Sequence, residues 1–332
     1  MEVKAVTFAA FTDLHLDIMP DGKRRMDAFF RAAEEANVDF IIHLGDFCYP
    51  KGVLGIAPEA KLPVNLKLSL DKPPIQPGKE ELLERFRTFP KPSYHVLGNH
   101  DMDFCSKEDA MEVYGMPAPY YSFRFGGWHF IVLDGNHYKD EAGALRDYGY
   151  AASYYRDQPY LGEDQLCWLE AELESCREPS VLFCHQPLFR RDRGLKDIDA
   201  FQGILTRAQN RGKEVRLCMN GHLHIDDLHI ENGVVYHVLN SISNFWAGEE
   251  YETLRYPPRI EEDYPSLRYT FPYAKPVFAI ITLTGEGLEI QGCSGRFVQP
   301  GPRSFPCRPM PTSNVRSRRL TWPNNKKEWK SL

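Results

Sequence analysis

The sequence lacks the features that would indicate a membrane, secreted or nucleic-acid-binding protein. No apolar run reaches the roughly 20 residues that a transmembrane helix requires. The first residues lack the basic, apolar and small-residue order of a secretory signal. The formal net charge is −6 at pH 7, whereas domains that bind nucleic acids are usually basic. These absences favour a soluble globular protein and argue against a membrane or nucleic-acid partner.

Cysteine pairs are also missing. The eight cysteines include no C-x-x-C pair, so neither a zinc ribbon nor a redox motif is expected. Several lie in apolar patterns, where a buried free thiol is the usual state, and a cytoplasmic location therefore fits best. The chain has 332 residues, of which 42% are hydrophobic and 26% charged, which is enough for one large core.

What the sequence does contain is a series of five short motifs rich in carboxylate, amide and imidazole groups. In chain order they are Asp13-Leu14-His15, Gly45-Asp46, Gly98-Asn99-His100-Asp101, His185 and Gly221-His222-Leu223-His224. Each follows an apolar run that is typical of a strand. Any one of them alone is a turn or a strand end. Together they predict a centre of two divalent metal ions, because Mn²⁺, Fe²⁺, Zn²⁺ and Mg²⁺ take these ligands. Such a pair can activate water and bind a phosphoryl group.

The spacing within the motifs predicts how the ions are shared. Residues i and i+2 of an extended chain point to the same face, so Asp13 and His15 can bind one ion together. His222 and His224 have the same spacing and could each serve a different ion. Asp46 is the natural bridge between the ions, because a carboxylate has two oxygens and this one lies between the other motifs.

The motif series resembles that of the calcineurin-like metallophosphoesterase superfamily, which reads DxH, GD, GNH(D/E), H and GHxH. The resemblance covers roughly residues 5–240. It implies two ligand sets: Asp13, His15, Asp46 and His224 for the first metal, and Asp46, Asn99, His185 and His222 for the second. The metals it implies are two divalent ions, with Mn²⁺, Fe²⁺/Fe³⁺ and Zn²⁺ as the alternatives.

The resemblance also implies a mechanism. A metal-bridging hydroxide is the expected nucleophile, and His100 is expected to face the leaving group as general acid or charge stabiliser. Asp101 is expected to orient His100 and support its charge. The expected reaction is hydrolysis of a small nucleotide-like or other phosphodiester, because the layout is most similar to the cyclic-nucleotide and small-molecule phosphodiesterase branch.

One residue departs from the commonest pattern and leaves two alternatives open. Tyr49, three positions after Asp46, gives the spelling GDxxY, which is similar to purple acid phosphatases, where the tyrosine binds ferric iron. Those proteins lack the histidine of the first motif, whereas His15 is present here. We therefore expect Tyr49 to be a packed neighbour or a pocket wall, with metal ligation as the other alternative. A phosphomonoesterase and a non-catalytic scaffold that kept the fold remain the alternative functions.

The fold implied by the resemblance is α/β, a four-layer α/β/β/α sandwich of two mixed sheets with outer helices. The apolar patterns agree: they predict helices at 24–36, 80–86 and 163–174, and strands at 3–11, 40–44, 93–96, 120–125, 128–133, 180–184, 215–220, 234–239 and 277–283. We expect a catalytic domain over residues 1–293, with excursions at 51–78 and 240–275. Residues 294–332 are expected to form a basic, aromatic-containing tail that packs on the core or extends from it.

The substrate is expected to be a small phosphoester. Metal ligands do not select among phosphoesters, so selection falls to the pocket rim. The candidates for the rim are Tyr49, Arg190, Asn244, Phe245 and Trp246. Phe245 and Trp246 follow a predicted strand beyond the last ligand pair, where an aromatic ring could stack on a base or simply pack against neighbours. A homo-oligomer is also left open.

Overall fold

Two six-stranded mixed sheets lie at the centre of the structure, a computed structural model that describes residues 3–47, 78–150, 152, 158–191 and 193–322. The first sheet has the strand order β16 (Arg318–Thr321), β15 (Gly287–Gln291), β14 (Ala279–Leu283), β1 (Val6–Phe11), β2 (Phe40–His43) and β3 (Ser93–His95). Strands β1, β2 and β3 run parallel, and the remaining pairings are antiparallel.

The second sheet has the order β10 (Asp227–Glu231), β11 (Val234–Val238), β9 (Val215–Asn220), β8 (Ser180–Phe183), β5 (Trp128–Val132) and β4 (Tyr121–Phe125). Its four central strands are parallel to one another, and both outer strands are antiparallel to their neighbours. Two small antiparallel pairs complete the strands: β6 (His137–Lys139) with β7 (Leu145–Asp147), and β12 (Asn244–Trp246) with β13 (Thr270–Pro272).

The described helices are α1 (Gly22–Glu35), α2 (Lys79–Arg87), α3 (Lys107–Tyr114), α4 (Glu163–Ser175), α5 (Ile198–Asn210) and α6 (Pro258–Asp263). Short 3-10 helices cover Asn99–Met102, Glu249–Tyr251, Pro265–Tyr269 and Pro302–Ser304. In the described part of the chain, no helix combines the length and the apolar character that crossing a bilayer requires.

Alternation along the strands produces the layers. On β1, Phe8 and Ala10 point into the core between the two sheets, while Ala9 and Phe11 point to α1 and α2. Helices α4 and α5 cover the outer face of the second sheet with their leucine, isoleucine and phenylalanine side chains. The period of two along a strand therefore supplies a separate apolar surface to each layer. The expected α/β/β/α sandwich of two mixed sheets is confirmed.

The C-terminal segment contributes to this core. Strand β16 pairs with β15 at the edge of the first sheet. The side chains of Val315 and Trp322 are buried, and Trp322 Nε1 donates to the carbonyl of Thr284 at 2.8 Å. The described part of the predicted tail thus packs on the domain. The boundary at residue 293 stays a prediction, and most of the predicted excursion at 51–78 lies outside the described residues.

Candidate metal centre

The ligand-bearing loops all leave the carboxyl ends of parallel strands. The motif residues are Asp13 and His15 after β1, Asp46 after β2, Asn99 after β3, His185 after β8, and His222 and His224 after β9. The carboxyl ends of parallel strands lie at one edge of a sheet, where α/β proteins commonly bind ligands. Both sheets present that edge on the same side of the sandwich, so five loops that are distant in sequence meet there.

One group of donors consists of Asp13, His15 and His224. Nε2 of His224 lies 3.1 Å from Asp13 Oδ1, and Nε2 of His15 lies 3.9 Å from the same oxygen. All three side chains are buried, and they place one ligand atom each within 4.8 Å of the others. Three carboxylate and imidazole donors that surround one small space are the kind of ligands that divalent ions take.

The other group consists of Asp46, His185 and His222. Nε2 of His185 lies 3.2 Å from Asp46 Oδ2 and 3.3 Å from Nδ1 of His222. The two groups adjoin, because His15 Nε2 is 3.7 Å from Asp46 Oδ2 and His185 Nε2 is 4.0 Å from Asp13 Oδ1. The Asp46 carboxylate therefore lies between the groups, as expected of a bridging ligand.

Hydrogen bonds at the far side of two rings fix which nitrogen faces the centre. Nδ1 of His185 lies 2.8 Å from the carbonyl of Leu44, and Nδ1 of His224 lies 2.8 Å from the carbonyl of Asn244. A carbonyl only accepts, so each Nδ1 carries a hydrogen. In the neutral ring, Nε2 then presents its lone pair to the carboxylates. Backbone carbonyls commonly orient metal-binding histidines in this way.

The donor set therefore fits metal ions. A neutral His224 and an ionised Asp13 place two electron pairs 3.1 Å apart, which is unfavourable unless a cation or a proton lies between them. Asp13 Oδ1 and Asn99 Oδ1 are buried acceptors that receive no hydrogen bond, and buried polar atoms are nearly always satisfied. Both atoms belong to residues of the predicted ligand sets, so bound cations would satisfy them.

The protonation states also suit metal binding. Burial alone would raise the pKa of Asp46, but the adjacent His185 and His100 lower it well below the ordinary value. Burial lowers the pKa of His15 and of His222 to about 3 each. His185 is the exception, because Asp46 outweighs burial and raises its pKa to about 9. A metal ion would replace that proton, since ligating histidines must be neutral.

Two motif glycines are required by close approach. A Cβ at Gly98 would lie 2.2 Å from Asp46 Oδ1, and one at Gly45 would lie 2.4 Å from Nδ1 of His185. Gly45 also has a φ of +100°, which favours glycine. The ligand residues Asp13, His15, Asp46, His222 and His224 themselves adopt positive φ. Backbone strain of this kind is concentrated at functional sites.

The histidine expected to act in catalysis is held by a different carboxylate from the one predicted. Nδ1 of His100 lies 2.7 Å from Asp103 Oδ2. The ring lies beside the centre, with its centroid 5.5 Å from that of His15, and 27% of the side chain is exposed. Burial of the ring nitrogen would lower the pKa of His100, but Asp103 and Asp46 together raise it to about 10.

The orienting hydrogen bond to His100 that was expected of Asp101 is therefore made by Asp103. The Asp101 carboxylate accepts hydrogen bonds from the backbone of both neighbouring loops. Its partners are the N–H groups of Asp46, Phe47 and Gly98 at 2.8–3.0 Å and the hydroxyl of Tyr114 at 2.7 Å. Asp101 thus joins the Asp46 loop to the Asn99 loop. Spacing alone could not separate Asp101 from Asp103, because both lie within reach of His100.

One set of contacts that holds the first motif in place was not predicted from the sequence. The segment after β11 lies along the Asp13–His15 loop: Ser241 Oγ donates to the carbonyl of Asp13 at 2.9 Å, and Ser243 Oγ donates to that of Leu14 at 2.6 Å. Together with Asn244, these serines hold the first motif and His224 from behind. The only sequence signal is a run of small polar residues directly after a predicted strand.

The residues predicted for the pocket rim have varied surroundings. Tyr49 lies outside the described residues. Arg190 is half-buried in the loop after His185. Asn244 is buried beneath His224. Phe245 packs on the inter-sheet core, and Trp246 packs on a separate cluster around Ile18 and Met19. Their roles in substrate binding stay predictions.

A third group of acidic and histidine side chains has a different character. Asp134, His137 and Asp147 also cluster closely enough to hold an ion. The ammonium group of Lys107, however, lies 2.6 Å from Asp134, 2.5 Å from Asp147 and 3.1 Å from His137. The lysine therefore supplies the cation, and this cluster is an ion-pair network instead of a third metal site.

Comparisons with known proteins agree with this geometry. Residues 6–226 match the family model described as calcineurin-like phosphoesterase. A probable cyclic nucleotide phosphodiesterase from Synechococcus is 26% identical over 240 residues, which cover 67% of this chain and 75% of that protein. The fold is similar to that of a dimetal phosphatase from Danio rerio, with a TM-score of 0.61 and 14% identity over 96% of this chain and 99% of the other.

Proposed function

This chain belongs to the calcineurin-like phosphoesterase family, and we propose that it hydrolyses a small phosphodiester at a centre of two divalent metal ions. The observation that carries the proposal is the pair of adjoining donor groups, with Asp46 between them and His100 beside them. Two bound ions would supply Lewis acidity, a water of lowered pKa and a binding site for the phosphoryl oxygens.

We propose the ligand sets that the motifs predict. The first ion would be held by Asp13, His15, Asp46 and His224, and the second by Asp46, Asn99, His185 and His222. Mixed carboxylate, amide and imidazole donors suit Mn²⁺, Fe²⁺/Fe³⁺ and Zn²⁺. The lone-pair orientation of His185 and His224 and the bare acceptors on Asp13 and Asn99 support this assignment.

We propose that His100 is the proton donor to the leaving oxygen. Its bond to Asp103 holds the hydrogen on Nδ1 and leaves Nε2 as the atom that gives up its proton. In the metal-free protein, Asp103 and Asp46 together raise the pKa of His100 to about 10, so the ring carries at neutral pH the proton that a general acid requires. Unlike Asp13 and Asp46, which are almost inaccessible, His100 exposes part of its ring. It can therefore contact a substrate without leaving its partner.

We propose a phosphodiester, and not a phosphomonoester, as the substrate class. Support comes from the likeness to a probable cyclic nucleotide phosphodiesterase and from the similar layout of the motifs. We further propose a cytoplasmic location, because the cysteines in the described ranges are free thiols.

The test is a hydrolysis assay after metal removal and reconstitution with Mn²⁺. The protein would be compared on a bis-aryl phosphodiester and an aryl phosphomonoester, with His100→Ala as the control for contaminating activity. We expect the diester to be hydrolysed faster. A monoester preference would favour a phosphatase and make Tyr49 the next residue to substitute. Absence of turnover on both, with two ions bound, would favour the scaffold alternative.

A further inference from the structure

The side chain of Asn136 joins two ligand-bearing loops that are distant in sequence. Its Nδ2 donates to the carbonyl of Leu97 at 2.8 Å, and its Oδ1 accepts from Gln186 Nε2 at 2.7 Å. Leu97 lies two residues before Asn99, and Gln186 directly follows His185. Asn136 and Gln186 are at most 1% exposed. A single buried amide therefore sets the separation of the two loops.

The network around Asn136 fixes the orientation of its amide. Nδ2 also donates to Asp134 Oδ1 at 2.7 Å, and the backbone N–H of Asn136 donates to the same oxygen at 2.9 Å. Leu97 offers a carbonyl and Asp134 a carboxylate, so only an NH₂ group can satisfy both. All polar atoms of the amide have partners, and a fully satisfied buried network specifies one arrangement.

The network is anchored away from the metal centre. The other oxygen of Asp134 binds the ammonium group of Lys107 at 2.6 Å. The backbone N–H and carbonyl of Asp134 are both held by the amide of Gln165, at 2.8 Å each. Asn136 therefore extends from a rigid, charge-neutralised base at the end of β5. Movement of either ligand loop would have to break bonds to that base.

We propose that Asn136 is a positioning residue for the second metal ion. Asn99 and His185 both belong to the second ligand set, so the inference rests on the proposed two-metal centre. The first set is supported from another side, by the bonds of Ser241 and Ser243 to the Asp13–His15 loop. Loss of the Asn136 amide is therefore expected to affect one ion and spare the other.

The test is a calorimetric titration of Asn136→Ala with metal ions, together with metal analysis of the dialysed protein. We expect two ions to bind the wild type, and one of them to bind the variant about tenfold or more weakly, as is usual for loss of an outer-shell partner. The other ion is expected to keep its affinity within about twofold. His185→Ala identifies the ion of the second set.

Asn240→Ala is the matched control. Asn240 is equally buried, and its amide also makes three hydrogen bonds, to the carbonyls of Thr312 and Asn314 and to the hydroxyl of Tyr273. None of these partners carries or adjoins a predicted ligand. We expect this variant to lose stability and to keep the affinity of the second ion. An equal loss of the second ion in Asn240→Ala would assign the effect to general destabilisation and overturn the inference.

Hydrogen exchange of the metal-free protein supplies an independent readout. We expect Gln186→Leu, which cuts the link from Asn136 to the His185 loop and also removes the acceptor of the Cys184 thiol, to raise exchange in the peptide around residue 185 more than in the peptide around residue 13. If Asn136→Ala and Gln186→Leu bind two ions as tightly as the wild type does, and their exchange is unchanged, the inference about Asn136 is overturned while the proposed two-metal centre stands. A wild type that binds one ion would overturn the proposed centre and the inference with it.

Discussion

The carboxylate of Asp103 and the imidazole of His100 form a hydrogen bond of 2.7 Å within one turn of chain. The Asp103 side chain is fully buried, whereas the ring of His100 is partly exposed. A buried carboxylate behind a partly exposed imidazole fixes the tautomer and favours the protonated ring. The pair thus combines a buried negative charge with an imidazole ring that is partly accessible to solvent.

We predict that Asp103→Asn lowers kcat by about tenfold to a hundredfold, a part of the effect of a positioned proton donor. Burial alone would lower the pKa of His100, but Asp103 and Asp46 together raise it to about 10, so removing the Asp103 charge lets His100 lose its proton at a lower pH. The activity that needs the protonated ring then falls off earlier as pH rises. The measurement is the pH dependence of kcat/KM, in which the basic limb should move to lower pH.

Asp101→Asn is the comparison for that experiment. Its carboxylate accepts two backbone N–H groups from the Asp46 loop and contacts no atom of the His100 ring in the described hydrogen bonds. We expect weaker metal binding and no shift of the basic limb. A basic limb that moves in Asp101→Asn and stays fixed in Asp103→Asn would restore the role first expected for Asp101.

We predict that His100→Ala keeps both metal ions and loses about 10²- to 10⁴-fold in kcat, the usual contribution of general acid catalysis. The ring is no member of either donor group, although it lies against them. The measurement is kcat on the better substrate together with the metal content of the purified variant. Full activity would remove His100 from the mechanism.

We predict that Asp46→Asn weakens both metal ions together. One Asp46 oxygen faces His15 of the first group and His185 of the second, and an amide is a weaker ligand than a carboxylate for hard cations. A variant that loses only one ion in a titration would show that Asp46 does not bridge. Asp13→Asn is the paired variant, and it should mainly weaken the first ion.

Much of this fold and site could be predicted because the signals are local. Alternating or continuous apolar runs indicated β1, β2, β8 and β9, and the ligand motifs follow these strands directly. The 3.6-residue spacing of Met26, Phe29, Phe30 and Ala33 indicated α1, which buries those side chains. Each prediction depended on residues within a dozen positions of one another, where period and side-chain direction are coupled.

The errors arise where partners are distant or equivalent in spacing. Nothing in the sequence indicates that Asp101 accepts backbone N–H groups from residues 46 and 47, more than 50 positions away. Helix α5 carries Gly203 in its middle and was missed, although its face of Phe201, Ile204 and Leu205 packs on the second sheet. Tertiary burial offsets the low helix propensity of such a glycine.

We predict that Gly98→Ala weakens metal binding through steric displacement of a ligand. The backbone at Gly98 has φ −92° and ψ 165°, which alanine adopts without strain. The added Cβ would lie 2.2 Å from Asp46 Oδ1 and 2.3 Å from the backbone nitrogen of Asp46, so both the carboxylate and the backbone of the Asp46 loop would have to move. We expect metal affinity to fall, and the melting temperature of the metal-free protein to fall with it, because the backbone of the Asp46 loop has to shift.

Gly285→Ala is the control for that substitution. A Cβ there meets no atom within 4 Å, and the residue lies in the turn between β14 and β15, far along the chain from the ligand loops. We expect unchanged metal affinity. If Gly98→Ala binds both ions as the wild type does, the close approach at Gly98 places no constraint on Asp46.

The last prediction concerns the link between the C-terminal strand and the loop of His224. Asp226, two residues after His224, accepts two hydrogen bonds of 2.8 Å from Arg318 on β16, and it contacts Nε2 of His237 at 3.4 Å. The Asp226 side chain is 1% exposed. Burial alone would raise the pKa of Asp226, but these partners lower it to about 2.

A carboxylate whose pKa is lowered in the folded state stabilises the protein above its unfolded pKa, and this stability is lost as pH falls through the folded pKa. The ordinary value for Asp226 is 3.8 and the folded value is about 2, so the lowered pKa contributes about 2 kcal/mol at neutral pH. We predict that Asp226→Asn lowers the free energy of unfolding at pH 7. The difference from the wild type should shrink by about that amount between pH 5 and pH 2.

Glu289→Gln is the matched control for Asp226→Asn. Glu289 pairs at 2.9 Å with Arg319, the neighbour of Arg318 on the same strand, but both side chains are more than half exposed. Exposed pairs contribute about 0–1 kcal/mol, so this variant should follow the wild-type stability at every pH. Denaturant unfolding from pH 7 to pH 2 would measure all three proteins. A constant gap between Asp226→Asn and the wild type across that range would show that the ionisation of Asp226 does not link the C-terminal strand to the His224 loop.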